Sequence, residues 1–241
     1  APERYRVYLF MNLLGVPMAV MQLAGYPLTI SALTEHGTQA AQEQLRAVGA
    51  FMVLIMLPEA VGMVLIGPLL AEIFLGAEYR PLMPALLPIL VCATMLKALI
   101  SYLNYGFFLA ARTDITLISI AAAAAANLAL NLVLIPRYGP WGAAIASLVG
   151  FGTGFVVAAI KMKGVFAFPL PDPIVLLAGI VGVGAMALWL WPFYGVITLS
   201  AALYIIPVAI LIDFGVVFLV LYVTGRKPFV LLRGLWGGQS K

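Results

Sequence analysis

Residues 173–212 carry no charged side chain at all. No segment of that length can lie unshielded on a water-facing surface. It is about twice the roughly 20 residues that take a helix across a hydrocarbon core of about 30 Å. The cluster Trp191-Pro192-Phe193-Tyr194-Gly195 divides it, because Pro and Gly break the pattern and the aromatic rings suit a membrane–water interface. The run therefore reads as two apolar segments, 173–190 and 196–223. The rest of the chain is similar in kind: 64% of residues are apolar and 9% are charged, against about 45–50% and about 25% in soluble domains. So few charges cannot coat a soluble globule of 241 residues. This excludes an ordinary cytosolic enzyme, a secreted disulfide scaffold and a disordered linker. The single cysteine, Cys92, leaves no intrachain disulfide, and no Cys/His cluster suggests a metal.

Charge and turn clusters mark out five further spans, at 7–33, 47–66, 81–111, 115–135 and 141–160. A polar lead-in, Gln39 to Arg46, precedes the second, which closes at Gly67-Pro68; the fourth is expected to stop at Pro136. The tail from Gly225 to Lys241 mixes Arg226, Lys227, Phe229, Leu231, Leu232, Arg233 and Trp236, as a segment lying on a membrane surface does. Backbone in lipid must satisfy its own hydrogen bonds, and these runs lack the period-two alternation of barrel strands. The fold class is all-α, a polytopic bundle of seven transmembrane helices.

Cations set the orientation. Arg4, Arg6, Arg80 and Arg137 flank the N-terminal side of the membrane. Arg46, Arg112, Lys161, Lys163, Arg226, Lys227, Arg233 and Lys241 flank the other. The positive-inside rule then puts the C-terminus in the cytoplasm and the N-terminus outside. The net charge of +4 comes from cations dispersed between apolar runs, which excludes a nucleic-acid partner and leaves membrane lipids as the surroundings. An odd number of spans, an exterior N-terminus and a start at Ala1-Pro2-Glu3-Arg4 read as a fragment that lacks an upstream span.

Ionisable groups at span centres are costly, about 2.5–3.5 kcal/mol each on insertion scales, and mark functional candidates. Lys97, Glu59 and Asp213 are the three. Thr94, Lys97, Ser101 and Asn104 recur at helical spacing and share one face, with Tyr105 alongside. Such a stripe fits a hydrated lumen in which a cation meets an anionic substrate. It also fits a structural Lys97–Glu59 pair, since antiparallel neighbouring spans bring both to similar depth. Glu59 follows Pro58, as in the interrupted helices that hold ions in transporters; Asp213 follows Pro207 without an obvious partner. Both carboxylates are candidates for ion coupling or charge balance. Asn127 and Asn131, four residues apart, read as interhelical hydrogen-bonding groups. Gly142, Ala143, Ala146 and Gly150, and likewise Gly179, Gly182 and Gly184, are packing positions. His36 and Cys92 suggest no chemistry. No H-E-x-x-H, Walker loop or G-x-S-x-G occurs, so the chain reads as a non-enzyme without cofactor.

From Asn127 the sequence runs NLALNLVLIPRYGPWGAAIASLVG. This resembles the signature of polysaccharide (O-antigen) flippases: an Asn-rich helix, I-P-x-Y-G, then a G-A-A-x-A-S/T helix start. LLAEIFLGAEY, from Leu69 to Tyr79, is similar to that family's FxG loop. Tyr26-Pro27 to Ser31 with Glu35-His36-Gly37 resembles its Pro-x-x-S end and acidic lead-in, and Pro2-Glu3 with Tyr8 is similar to its G-P-E…Y step.

The resemblance implies the C-terminal half of a protein in the superfamily that also holds multidrug (MATE) antiporters. Residues 1–165 would be the second lobe without its first helix, 166–224 two additional spans, and 225–241 a cytoplasmic amphipathic tail. It implies translocation of undecaprenyl-diphosphate-linked oligosaccharide across the bacterial inner membrane by alternating access, for polysaccharide or lipopolysaccharide biosynthesis. The partners implied are the lipid-linked oligosaccharide and an N-terminal lobe of the same protein. Lys97, with Thr94, Ser101 and Asn104, would contact substrate. A MATE-type cation-coupled drug antiporter would instead have a carboxylate-dominated lumen. A non-transporting scaffold for polysaccharide enzymes would keep Lys97 paired against a helix.

Overall fold

The computed structural model describes residues 16–165 and 169–225. Arg4, Arg6, the start of the first expected span and the tail from Arg226 lie outside the described residues, as does the Pro2-Glu3…Tyr8 step. Seven helices form the described chain: α1 (Val16–Leu65), α2 (Gly67–Phe74), α3 (Met83–Leu109), α4 (Thr113–Tyr138), α5 (Pro140–Met162), α6 (Pro173–Leu190) and α7 (Leu199–Val223). All but α2 are long and apolar enough to cross a membrane. This is a multi-pass, all-helical membrane protein.

The first two expected spans are the arms of α1, separated at Gly37, whose φ of 83° and ψ of −174° are non-helical. A left-handed φ costs glycine nothing and other residues much. Helical dihedrals continue through Pro58, so the interruption beside Glu59 that the sequence suggested lies at Gly37 instead. The fourth span likewise runs through Pro136 to Tyr138. Proline forfeits one hydrogen bond but its ring suits helical φ; the helix stops at Gly139, φ 55°, after which Pro140 opens α5. Asp172 caps α6 by accepting from the Ile174 N–H at 2.9 Å, and Thr198 caps α7 through the Ala201 N–H. Arg80 closes the loop after α2: its guanidinium donates to the Glu72 and Leu75 carbonyls at 3.0 and 3.2 Å.

The chain divides into two compact units. The first comprises Ala1–Met21, Arg46–Leu87 and Leu170–Lys241. Its core consists of the second arm of α1 packed with α6 and α7: Ala50 with Val175, Ala178, Val217 and Leu221, and Leu65 with Met186, Leu190 and Ala209. Leu69 of α2 joins Ile197 and Ala202. The unit is discontinuous in sequence because apolar faces of 46–87 and 170–223 meet each other.

The second unit comprises Gln22–Leu45 and Pro88–Pro169. Here α4 and α5 pack through small residues. A Cβ at Gly142 would strike the Leu134 carbonyl. At Gly150 it would lie 2.7 Å from Asn127 Cβ, and at Gly154 2.8 Å from Ala123 Cβ. Such close approach is the usual way membrane helices gain packing energy, since lipid removes the hydrophobic drive between them. The hydroxyl of Tyr102 on α3 donates to the Leu45 carbonyl at 3.0 Å, tying the start of the second arm of α1 to α3.

Candidate functional site

Each unit carries its own ionisable groups inside an apolar span. In the second unit the polar stripe runs along α3. Its members meet different surroundings, because neighbours cover the C-terminal half of that face more than its middle. The Thr94 hydroxyl donates to the Leu90 carbonyl of its own helix at 2.9 Å. Lys97 is exposed, with its ammonium 5.9 Å from the Phe151 ring centroid on α5, within range of a cation–π contact. Ser101 is half-buried. Asn104 is buried, and its Oδ1 has no hydrogen-bond partner among the described residues. Beside it Tyr105 stacks on Tyr26 at 6.1 Å, and Phe108 meets Tyr26 edge-on at 5.2 Å.

Asn127 and Asn131 on α4 form a separate polar pair. The Asn131 amide donates to Asn127 Oδ1 at 2.9 Å, and the Asn127 amide reaches Ser147 Oγ on α5 at 3.5 Å. The hydrogen bond between helices that the sequence suggested for Asn127 is therefore present. Asn131 works through Asn127 on its own helix.

In the first unit Glu59 and Asp213 line one cavity of about 440 Å³. Glu59 projects from α1 and Asp213 from α7, while Met186 and Leu190 of α6 close one side. Apart from the two carboxylates, the lining consists of apolar side chains and Gly62. Asp213 is 1% exposed and, among the described residues, neither carboxylate oxygen has a hydrogen-bond partner; Glu59 Oε2 is likewise buried without one. Asp213 fits there because α6 presents no side chain at Gly182, where an added Cβ would lie 2.7 Å from Asp213 Oδ1. The juxtaposition of these acids is what sequence reasoning missed. Similar depth in their spans was a usable signal. That α1 and α7 are neighbours was not.

Glu59 belongs to the first unit and Lys97 to the second. An ion pair between Arg112 and Asp114, at 2.9 Å, is exposed at the start of α4. No group of three or more His, Cys, Asp or Glu that could hold a metal occurs among the described residues. No protein-family model matches the sequence, and no curated protein matches it.

Proposed function

We propose that this protein translocates undecaprenyl-diphosphate-linked oligosaccharide across the bacterial inner membrane, with a cytoplasmic C-terminus and with Lys97 contacting the diphosphate. The observation that carries this reading is an exposed ammonium near the middle of a membrane-crossing helix. Twelve residues separate Lys97 from Leu109 at the end of α3, or about 18 Å of helix. A lysine side chain cannot span that distance, so its charge does not escape to the interface by snorkelling. A cation so placed needs water, an anion or another part of the protein beside it. A hydrated path carrying a diphosphate supplies the first two. Thr94, Ser101 and Asn104 extend the same face with neutral hydrogen-bonding groups suited to a sugar.

The flippase-like run from Asn127 to Gly150 supports the choice of a glycolipid over other anions. The test is export of lipid-linked glycan by the intact protein carrying Lys97→Ala, with membrane levels measured in parallel. Export should collapse while the protein remains in the membrane, and Lys97→Arg should restore part of it. Normal export by the alanine variant would remove Lys97 from the substrate path.

A further inference from the structure

We infer that the cavity of the first unit binds a lipophilic organic cation, its charged head beside Asp213 and Glu59 and its apolar body among Met63, Met186 and Phe214. This goes beyond glycolipid translocation and does not depend on it.

Three observations, all within one unit, lead there. Asp213 is almost wholly buried, lines the cavity, and has no hydrogen-bond partner on either oxygen among the described residues. A buried carboxylate without partners is costly, and only a proton or a counter-cation relieves it. Glu59 presents a second buried oxygen to the same space, which disfavours any anion. The volume, about 440 Å³, falls in the range of pockets that enclose drug-sized molecules.

The chemistry of the walls selects among cations. A small hard ion wants about six or more oxygen ligands. Here the side chains offer only two carboxylates, and even with the Leu54 carbonyl, which Pro58 leaves without its i+4 donor, the oxygens fall well short of six. Leu54, Ile55, Met63, Met186, Ile206 and Phe214 would instead surround an apolar body. Two methionines among them let the wall adapt to irregular shapes. A charged head on an oily body satisfies both halves of the cavity at once.

The experiment uses the intact protein in lipid nanodiscs, with empty nanodiscs as background. The probes are tetraphenylphosphonium and tetraphenylborate, nearly the same shape with opposite charge. Tetraphenylphosphonium should bind saturably and tetraphenylborate should not. Asp213→Asn and Glu59→Gln should each weaken tetraphenylphosphonium binding about tenfold or more, as losing one partner of a buried charge contact does. Gly62→Leu projects a side chain into the cavity and keeps both acids, its Cβ meeting nothing closer than Met186 Cε at 3.9 Å; it should abolish binding. Thermal unfolding of each variant distinguishes lost binding from lost fold. The inference is overturned if the wild type shows no saturable tetraphenylphosphonium binding, if both probes bind equally, or if Gly62→Leu or the Asp213→Asn/Glu59→Gln double variant binds normally. None of these outcomes bears on glycan export.

Discussion

The two units solve the same problem, an ionisable group inside an apolar helix, in opposite ways. In the second unit Lys97 stands exposed on α3 with the Phe151 ring near its charge, while the polar groups on its helix face are neutral. In the first, Asp213 is sealed between α6 and α7 and shares a cavity with Glu59. An exposed cation interacts with whatever lies beyond its own unit. A buried acid interacts only with what enters the cavity. In the two proposals, charge that faces outward serves a substrate path and charge that faces inward serves a binding pocket.

The sharpest way to break this comparison is to remove the packing that keeps the second unit in shape. At Gly154 a Cβ would lie 2.8 Å from Ala123 Cβ and 3.1 Å from the Ser119 carbonyl. Backbone cannot yield as a flexible side chain can, so Gly154→Leu should cost about 3 kcal/mol or more. Folded protein in the membrane should fall severely. Gly184→Leu, on α6 where nothing lies within 4 Å, should leave membrane levels unchanged. If both variants accumulate normally, close α4–α5 packing is not what holds that unit together.

Second in size is Lys97→Ala. A charge-assisted contact to phosphate is worth about 1.5–3 kcal/mol, so glycan export should fall about tenfold to a hundredfold. Membrane levels should hold, since an exposed side chain contributes little packing. A matching fall in protein level would recast Lys97 as structural and erase the contrast with the first unit.

The third prediction has the opposite sign. Asp213→Leu replaces an unpartnered buried acid with an apolar side chain of similar length in apolar surroundings. Relief of the desolvation penalty should stabilise the protein by about 1–3 kcal/mol, read as a higher unfolding temperature in detergent. A large fall would mean that the carboxylate has a structural partner.

What the sequence could and could not reveal follows from the range of the physics. Helix positions follow from local rules, so the charge-free run at 173–212 and its Trp-Pro-Phe-Tyr-Gly divider locate α6 and α7 closely. Asp172, Thr198 and Gly139 are recognisable as helix ends for the same reason. Proline misled twice, at Pro58 and Pro136, because within lipid a helix tolerates the loss of one hydrogen bond that water would exploit. The face shared by Thr94, Lys97, Ser101 and Asn104 was legible from spacing alone. How deeply each is covered was not, since that depends on α5 and the first arm of α1. That Glu59 and Asp213 line one cavity was hidden too: Gly182 makes room for Asp213, but nothing local ties residue 182 to residue 213.

The smallest effect tests the polar contact between α4 and α5. Asn127 reaches Ser147 at 3.5 Å, at the long end of hydrogen bonding, and accepts from Asn131 at 2.9 Å on its own helix. Hydrogen bonds between membrane helices average about 0.6 kcal/mol, because the separated helices find other partners. Asn127→Ala keeps the Cβ against which Gly150 packs and removes only the amide. Its cost should be about 0.5–1 kcal/mol, and Ser147→Ala should cost no more. In the double variant the two costs should fall short of adding, since both remove one shared contact. Full additivity would mean that Asn127 and Ser147 do not interact, leaving the small-residue contacts at Gly142, Gly150 and Gly154 as what joins these helices.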